Sequence, residues 1–153
     1  MNATAKLLEL GLTLPPPPAP AGNYLPFVRA GNLLYTAGTL PIKDGALAAV
    51  GKVGSDVTIE QGYEAARLCA LNILAIITAA AGSLDQVERF VAVTGFVNAT
   101  GDFAAHPKVI NGASDLFAAV FGDAGKHARV AVGASSLPLN AAVEVQAVVL
   151  LKS

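Results

Sequence analysis

Two charged side chains are set inside otherwise apolar, strand-like runs: Arg129 opens Val130-Ala131-Val132, and Glu144 stands between Val143 and Val145. A guanidinium at the start of a strand can grip a carboxylate through two parallel N–H···O bonds, which suits amino acids and 2-oxo acids better than a lysine would. A half-buried carboxylate can orient a water or move a proton when its surroundings shift its pKa. From the pattern alone, a structural or intersubunit salt bridge is the simpler account of each residue. Spacing by itself does not decide between them.

Other chemistries find less support. His106 and His127 are the only histidines, and neither belongs to an HxxEH, HExxH or CxxC arrangement, so no metal is expected. The single cysteine, Cys69, sits in an apolar helical stripe where nothing lowers its pKa, so it reads as structural. No GxGxxG or GxxxxGK[ST] occurs, and no nucleotide or other cofactor is expected. A formal net charge of -1 with scattered lysines and arginines argues against nucleic acid as a general partner. The lone cysteine fits a reducing cytoplasm, and Lys6 is followed by an apolar run too short for a signal peptide. The longest apolar candidate, Leu68 to Ala81, is interrupted by Asn72 and Thr78, so no membrane span is expected.

Around these residues the sequence places a recognisable order of elements. Residues 4 to 10 predict a short helix capped by Thr4 and ended by Gly11. Pro15 to Pro18 and Pro20 then force an extended segment, read as a stiff strap over the body with a PxxP ligand as the alternative. Phe27 to Ala30 and Leu33 to Ala37 flank the turn-forming pair Gly31-Asn32 and predict a hairpin. The segment from Pro41 to Ser55 suggests a loop with a short edge strand.

Thr58 and Gln61 can close a capping box at the head of a long helix whose apolar stripe runs from Ile59 to Ala80, with Gly82 as its stop. A β-branched and aromatic run from Gln86 to Ala99 argues for a strand, and Pro107 starts a second helix reaching Phe121. Arg129 to Ala134 and Ala142 to Leu151 are read as two closing, paired strands. Two helices cover one sheet face and leave the other bare. The last strand is apolar on both sides toward its end, which calls for cover by subunit association. With charged residues at 14% and hydrophobic residues at 54%, one domain with part of its surface lost to subunit contacts is expected.

The C-terminal segment, Ala128-Arg129-Val130-Ala131-Val132, Leu137-Pro138 and Ala142-Val143-Glu144-Val145, resembles the ARxxV…LP…VEIE signature of the RidA/YjgF family, also described as endoribonuclease L-PSP. Gly22-Asn23-Tyr24, Gly31-Asn32-Leu33-Leu34-Tyr35 and Ala37-Gly38-Thr39-Leu40-Pro41 are similar to its N-terminal elements. Asn72-Ile73 and Phe103 to Phe117 are similar to its central and second helices. The resemblance covers residues 22–153, with residues 1–21 as an N-terminal helix and strap like that of a longer-chain branch.

It implies a chorismate-mutase-like α+β fold: a mixed sheet with two helices on one face, assembled as a barrel-like homotrimer with ligand clefts at subunit boundaries. It implies cofactor-free hydrolysis of enamine or imine acids such as 2-aminoacrylate to a 2-oxo acid and ammonia. Carried over residue by residue, Arg129 matches the carboxylate-binding arginine, Glu144 the carboxylate that helps hold the attacking water, and Tyr24 the cleft tyrosine. Asn111 matches a cleft asparagine and Gly38 the glycine whose backbone approaches the ligand.

Two positions depart from the family pattern: Ala37 stands where the cleft serine is usual, and Ala131 where cysteine is frequent. Thr36 or Thr39 is the candidate replacement for the serine hydroxyl. The alternatives are a binding module that holds a small carboxylic acid without turnover and, more distantly, an endoribonuclease or translation inhibitor.

Overall fold

A computed structural model describes residues 2–20 and 22–153. Helix α1 (Ala3–Glu9) is followed by strands β1 (Phe27–Ala30), β2 (Leu33–Thr36), β3 (Ile42–Lys43) and β4 (Ala46–Leu47). Helix α2 (Ile59–Ala81), strand β5 (Val87–Asn98), helix α3 (His106–Phe121) and strands β6 (Ala128–Ala134) and β7 (Val143–Leu151) complete the chain. Five strands form one mixed sheet in the order β1-β2-β7-β5-β6, while β3 and β4 pair only with each other. The expected edge strand is thus a separate small hairpin.

The expected pairing of the last two strands is corrected here. β6 and β7 are not neighbours: β5 lies between them, parallel to β6 and antiparallel to β7. The reason is connectivity. A parallel partner for β5 requires a crossover, which α3 supplies, and β7 then enters the remaining slot between β2 and β5.

α2 begins with the predicted capping box, Thr58 Oγ1 accepting from Gln61 N and Gln61 Oε1 accepting from Thr58 N, and ends at Gly82 in the left-handed region. Its 23 residues reach the length and apolarity of a membrane span, yet more than half of its most apolar window is buried within the fold, as in a core helix. α2 and α3 cross with almost no space between them. A Cβ on Gly112 would lie 2.0 Å from the Tyr63 carbonyl oxygen, so only glycine permits this approach.

The core lies between these helices and one face of the sheet, with Phe90 and Phe117 stacked at 4.2 Å between ring centroids. Alternation along β7 puts Val143, Val145, Ala147, Val149 and Leu151 into that core and turns Glu144 and Gln146 the other way. On the uncovered face stand Val28, Tyr35, Val130 and Val132, all well exposed.

The N-terminal segment packs on the same body. Leu7 is buried, and Leu12 and Leu14 lie against the core. The cap of α1 is Asn2 rather than Thr4: Asn2 Oδ1 accepts from Ala5 N, while Thr4 N donates to Asp85 across the chain. The proline strap lies over the domain, and its expected end at residue 21 falls outside the described residues.

Candidate active site

Arg129 projects from the start of β6 toward α3. Its Nη1 donates to Asn111 Oδ1 at 2.8 Å and to Ser114 Oγ at 3.1 Å. Asn111 and Ser114 are three apart on α3 and share a helix face. Both hydrogens of Nη1 are consumed by these bonds, which leaves the Nε–Nη2 edge as the fork available to a carboxylate.

Ser114 Oγ lies 2.9 Å from His127 Nε2, and His127 Nδ1 lies 2.7 Å from the Gly125 carbonyl oxygen. Gly125 is pressed onto α3 so closely that a Cβ would lie 2.1 Å from the Phe117 carbonyl oxygen, which fixes the carbonyl beneath the imidazole. Burial, reinforced by the Arg129 charge and opposed by the hydrogen bond to Gly125, holds His127 below the usual imidazole range. The shift favours the neutral ring.

A second group gathers at the far end of β2. Pro26 O accepts from Ala37 N at 2.8 Å, and Thr39 exchanges backbone hydrogen bonds of 2.8 and 3.0 Å with Val145. Asn72, buried on α2, donates from Nδ2 to the carbonyls of Leu40 and Ile42 and so clamps the segment that follows Gly38. A cavity of about 80 Å³ is lined there by Pro20, Tyr24, Ala37, Gly38, Thr39 and Ile76.

Glu144 closes this end: a Cβ on Gly38 would fall 2.3 Å from Glu144 Oε1. The carboxyl is half-buried, and desolvation pushes its pKa above the ordinary carboxylate range. No salt bridge reaches it among the described residues. Its negative charge adds to burial in pushing the Cys69 thiol well up, so that cysteine is inert as expected.

The nominated residues therefore fall into two groups. Tyr24, Ala37, Gly38, Thr39 and Glu144 come together, and so do Arg129 and Asn111, while Ala131 is half-buried against the core two residues along β6. Within one chain the groups do not meet. Arg129 is in register with Val93 and Glu144 with Phe96, positions of opposite facing three residues apart on β5. The offset is about 10 Å along the strand and about 10 Å across two strand spacings.

Both candidate threonine hydroxyls are engaged within the fold. Thr39 Oγ1 donates to Ala37 O at 3.2 Å, and Thr36 Oγ1 accepts from Ala147 N at 3.1 Å, both inside the fold. Sequence reasoning missed Ser114 and weighed His127 only as a metal ligand. Helical spacing from Asn111 and strand spacing from Arg129 were the signals that pointed to them. A groove of about 670 Å³ lies instead between the β3–β4 hairpin and α2 and contains none of the nominated residues.

A mixed five-stranded sheet backed by two helices, with an arginine fork at one edge, defines a chorismate-mutase-like α+β domain. The sequence matches the family described as "YjgF/chorismate_mutase-like, putative endoribonuclease" over residues 4–151, and the chain belongs to that family. It is 45% identical to Protein TCP17 of Trypanosoma cruzi over 153 residues, covering 99% of this chain and 96% of that protein. The crystal structure of Atu1372 from Agrobacterium tumefaciens, a protein of unknown function, is 46% identical and superimposes with a TM-score of 0.90, covering 99% of this chain and 92% of the other. That of a "putative endoribonuclease" from Shewanella oneidensis is 35% identical with a TM-score of 0.96, covering 99% of this chain and all of the other.

Proposed function

We propose that this protein is a cofactor-free deaminase that hydrolyses the imine or enamine forms of small amino acids, of the 2-aminoacrylate class, to a 2-oxo acid and ammonia. The observation that carries the reading is the Arg129 guanidinium, held at Nη1 by Asn111 and Ser114 with its Nε–Nη2 edge left for a carboxylate. The reaction asks little more of the protein. An imine carbon is already electrophilic, so fixing the carboxylate and presenting one water supplies much of the acceleration.

Glu144 is suited to the water. Its raised pKa brings its two protonation states closer to neutral pH, so it can take a proton from the attacking water and return one to the departing nitrogen. Ala37 in place of serine leaves the cavity beside Gly38 with less polar lining, which favours substrates with apolar side chains. The two residue groups work together across a subunit boundary in a homotrimer. Burial of the uncovered sheet face, where Val28, Tyr35, Val130 and Val132 stand exposed, drives that association in a reducing cytoplasm. A net charge of -1 provides no field for a phosphate backbone, which weighs against the endoribonuclease function in the family's description.

The test is pyruvate release from 2-aminoacrylate generated in situ. The intact protein accelerates release over the spontaneous reaction, and Arg129→Ala removes the acceleration. Equal rates with and without the intact protein would overturn the assignment in favour of a carboxylate-binding role.

A further inference from the structure

Beside Arg129 lies a Ser114–His127–Gly125 series of which imine hydrolysis uses only the Ser114 hold on the guanidinium. The Gly125 carbonyl can only accept, so His127 Nδ1 carries the ring hydrogen and Nε2 presents its lone pair. The Ser114 hydroxyl, 2.9 Å away, therefore donates to Nε2. Hydroxyl, imidazole and orienting acceptor stand in series, the arrangement that activates a serine nucleophile, with a backbone carbonyl where a carboxylate is common.

The surroundings complete it. Arg129 Nη1 donates to Ser114 Oγ at 3.1 Å and so favours negative charge on that oxygen as its proton leaves. Asn111 Oδ1 is committed to the same guanidinium, which leaves its Nδ2 group as a further donor. Asn111 Nδ2 and the Nε–Nη2 edge of Arg129 are the remaining N–H donors that an oxyanion on the acyl group would call on. Ser114, His127 and Asn111 are all partly accessible in the chain.

We propose that Ser114 is an activated nucleophile and that this cluster has a second activity, the hydrolysis of small activated esters through an acyl-serine. Oγ attacks the ester carbon while its proton passes to His127 Nε2, and that proton leaves with the alcohol. Water then attacks the acyl-enzyme, giving a proton to His127 that returns to Oγ as the acid departs. The sum is ester plus water to acid plus alcohol, with no co-reactant.

A fluorophosphonate probe tests this without any imine substrate, so its outcome is independent of pyruvate release. Attack by Oγ forms an O–P bond, expels fluoride and passes the proton to His127. Intact-protein mass spectrometry is expected to show one adduct per chain, mapping to Ser114. Ser114→Ala abolishes it, and His127→Gln slows labelling by about 100-fold, the scale of a lost general base. A measurement that needs no variant accompanies these: p-nitrophenyl acetate gives a burst of about one p-nitrophenol per chain, and prior labelling removes it. An unlabelled wild-type protein, an adduct elsewhere, or labelling indifferent to His127→Gln in a folded variant would overturn the proposal.

Discussion

Replacing Gly38 by alanine separates the placement of Glu144 from the stability of the fold. The new methyl carbon would stand 2.3 Å from Glu144 Oε1, 3.1 Å from Cδ and 3.4 Å from Cγ. Relaxed non-bonded contacts lie near about 3.5 Å, so the carboxylate oxygen must retreat by about 1 Å. What yields is the end of a flexible, half-buried side chain rather than backbone, and the loss of stability stays below about 1 kcal/mol, or about 2–4 °C in Tm for a chain of this size. A 1 Å displacement of a group that positions water costs about 100-fold in rate. kcat/KM for 2-aminoacrylate is therefore expected to fall about 100-fold, equivalent to about 2.7 kcal/mol, at nearly unchanged Tm. Assaying pyruvate release beside a thermal melt gives both numbers. Wild-type turnover in the folded variant would refute the role given to Glu144, and a Tm loss above about 8 °C would show that far more than a carboxylate tip moves.

Two further outcomes follow from the same surfaces. Burial raises the folded-state pKa of Glu144, so its contribution to stability is present below the unfolded carboxyl's pKa and lost as pH rises through the folded value. Glu144→Gln is therefore expected to melt above the wild type at pH 8, with the gap closing toward pH 4; a wild type that melts higher at pH 8 would contradict this desolvation account. Val130 and Val132 present apolar side chains on the bare sheet face, and replacing both with lysine is expected to convert a trimer, as sized by light scattering, into monomers without pyruvate-releasing activity. A monomeric wild type at micromolar concentration would remove the shared site.

The elements were legible because periodicity reports which faces are buried. The Thr58 to Gly82 helix, the Gly31-Asn32 hairpin and the bare sheet face all express local chemistry or strict alternation. Neighbour relations are not local, and this is why the sequence suggests a β6–β7 pair while β5 separates them in the sheet. The same limit governs the site. Arg129 and Glu144 could be nominated as charges in apolar strands, but a run of alternating residues does not say that they point to opposite faces of one sheet. That fact follows only once β5 gives them a common ruler at Val93 and Phe96. Ser114 and His127 are a further case: thirteen residues apart, they meet because α3 runs back along the sheet and the turn through Gly125 returns the chain beside it. Sequence spacing finds groups that share one element, whereas the Ser114–His127 contact belongs to a crossover, and the union of the two residue groups belongs to the trimer we propose.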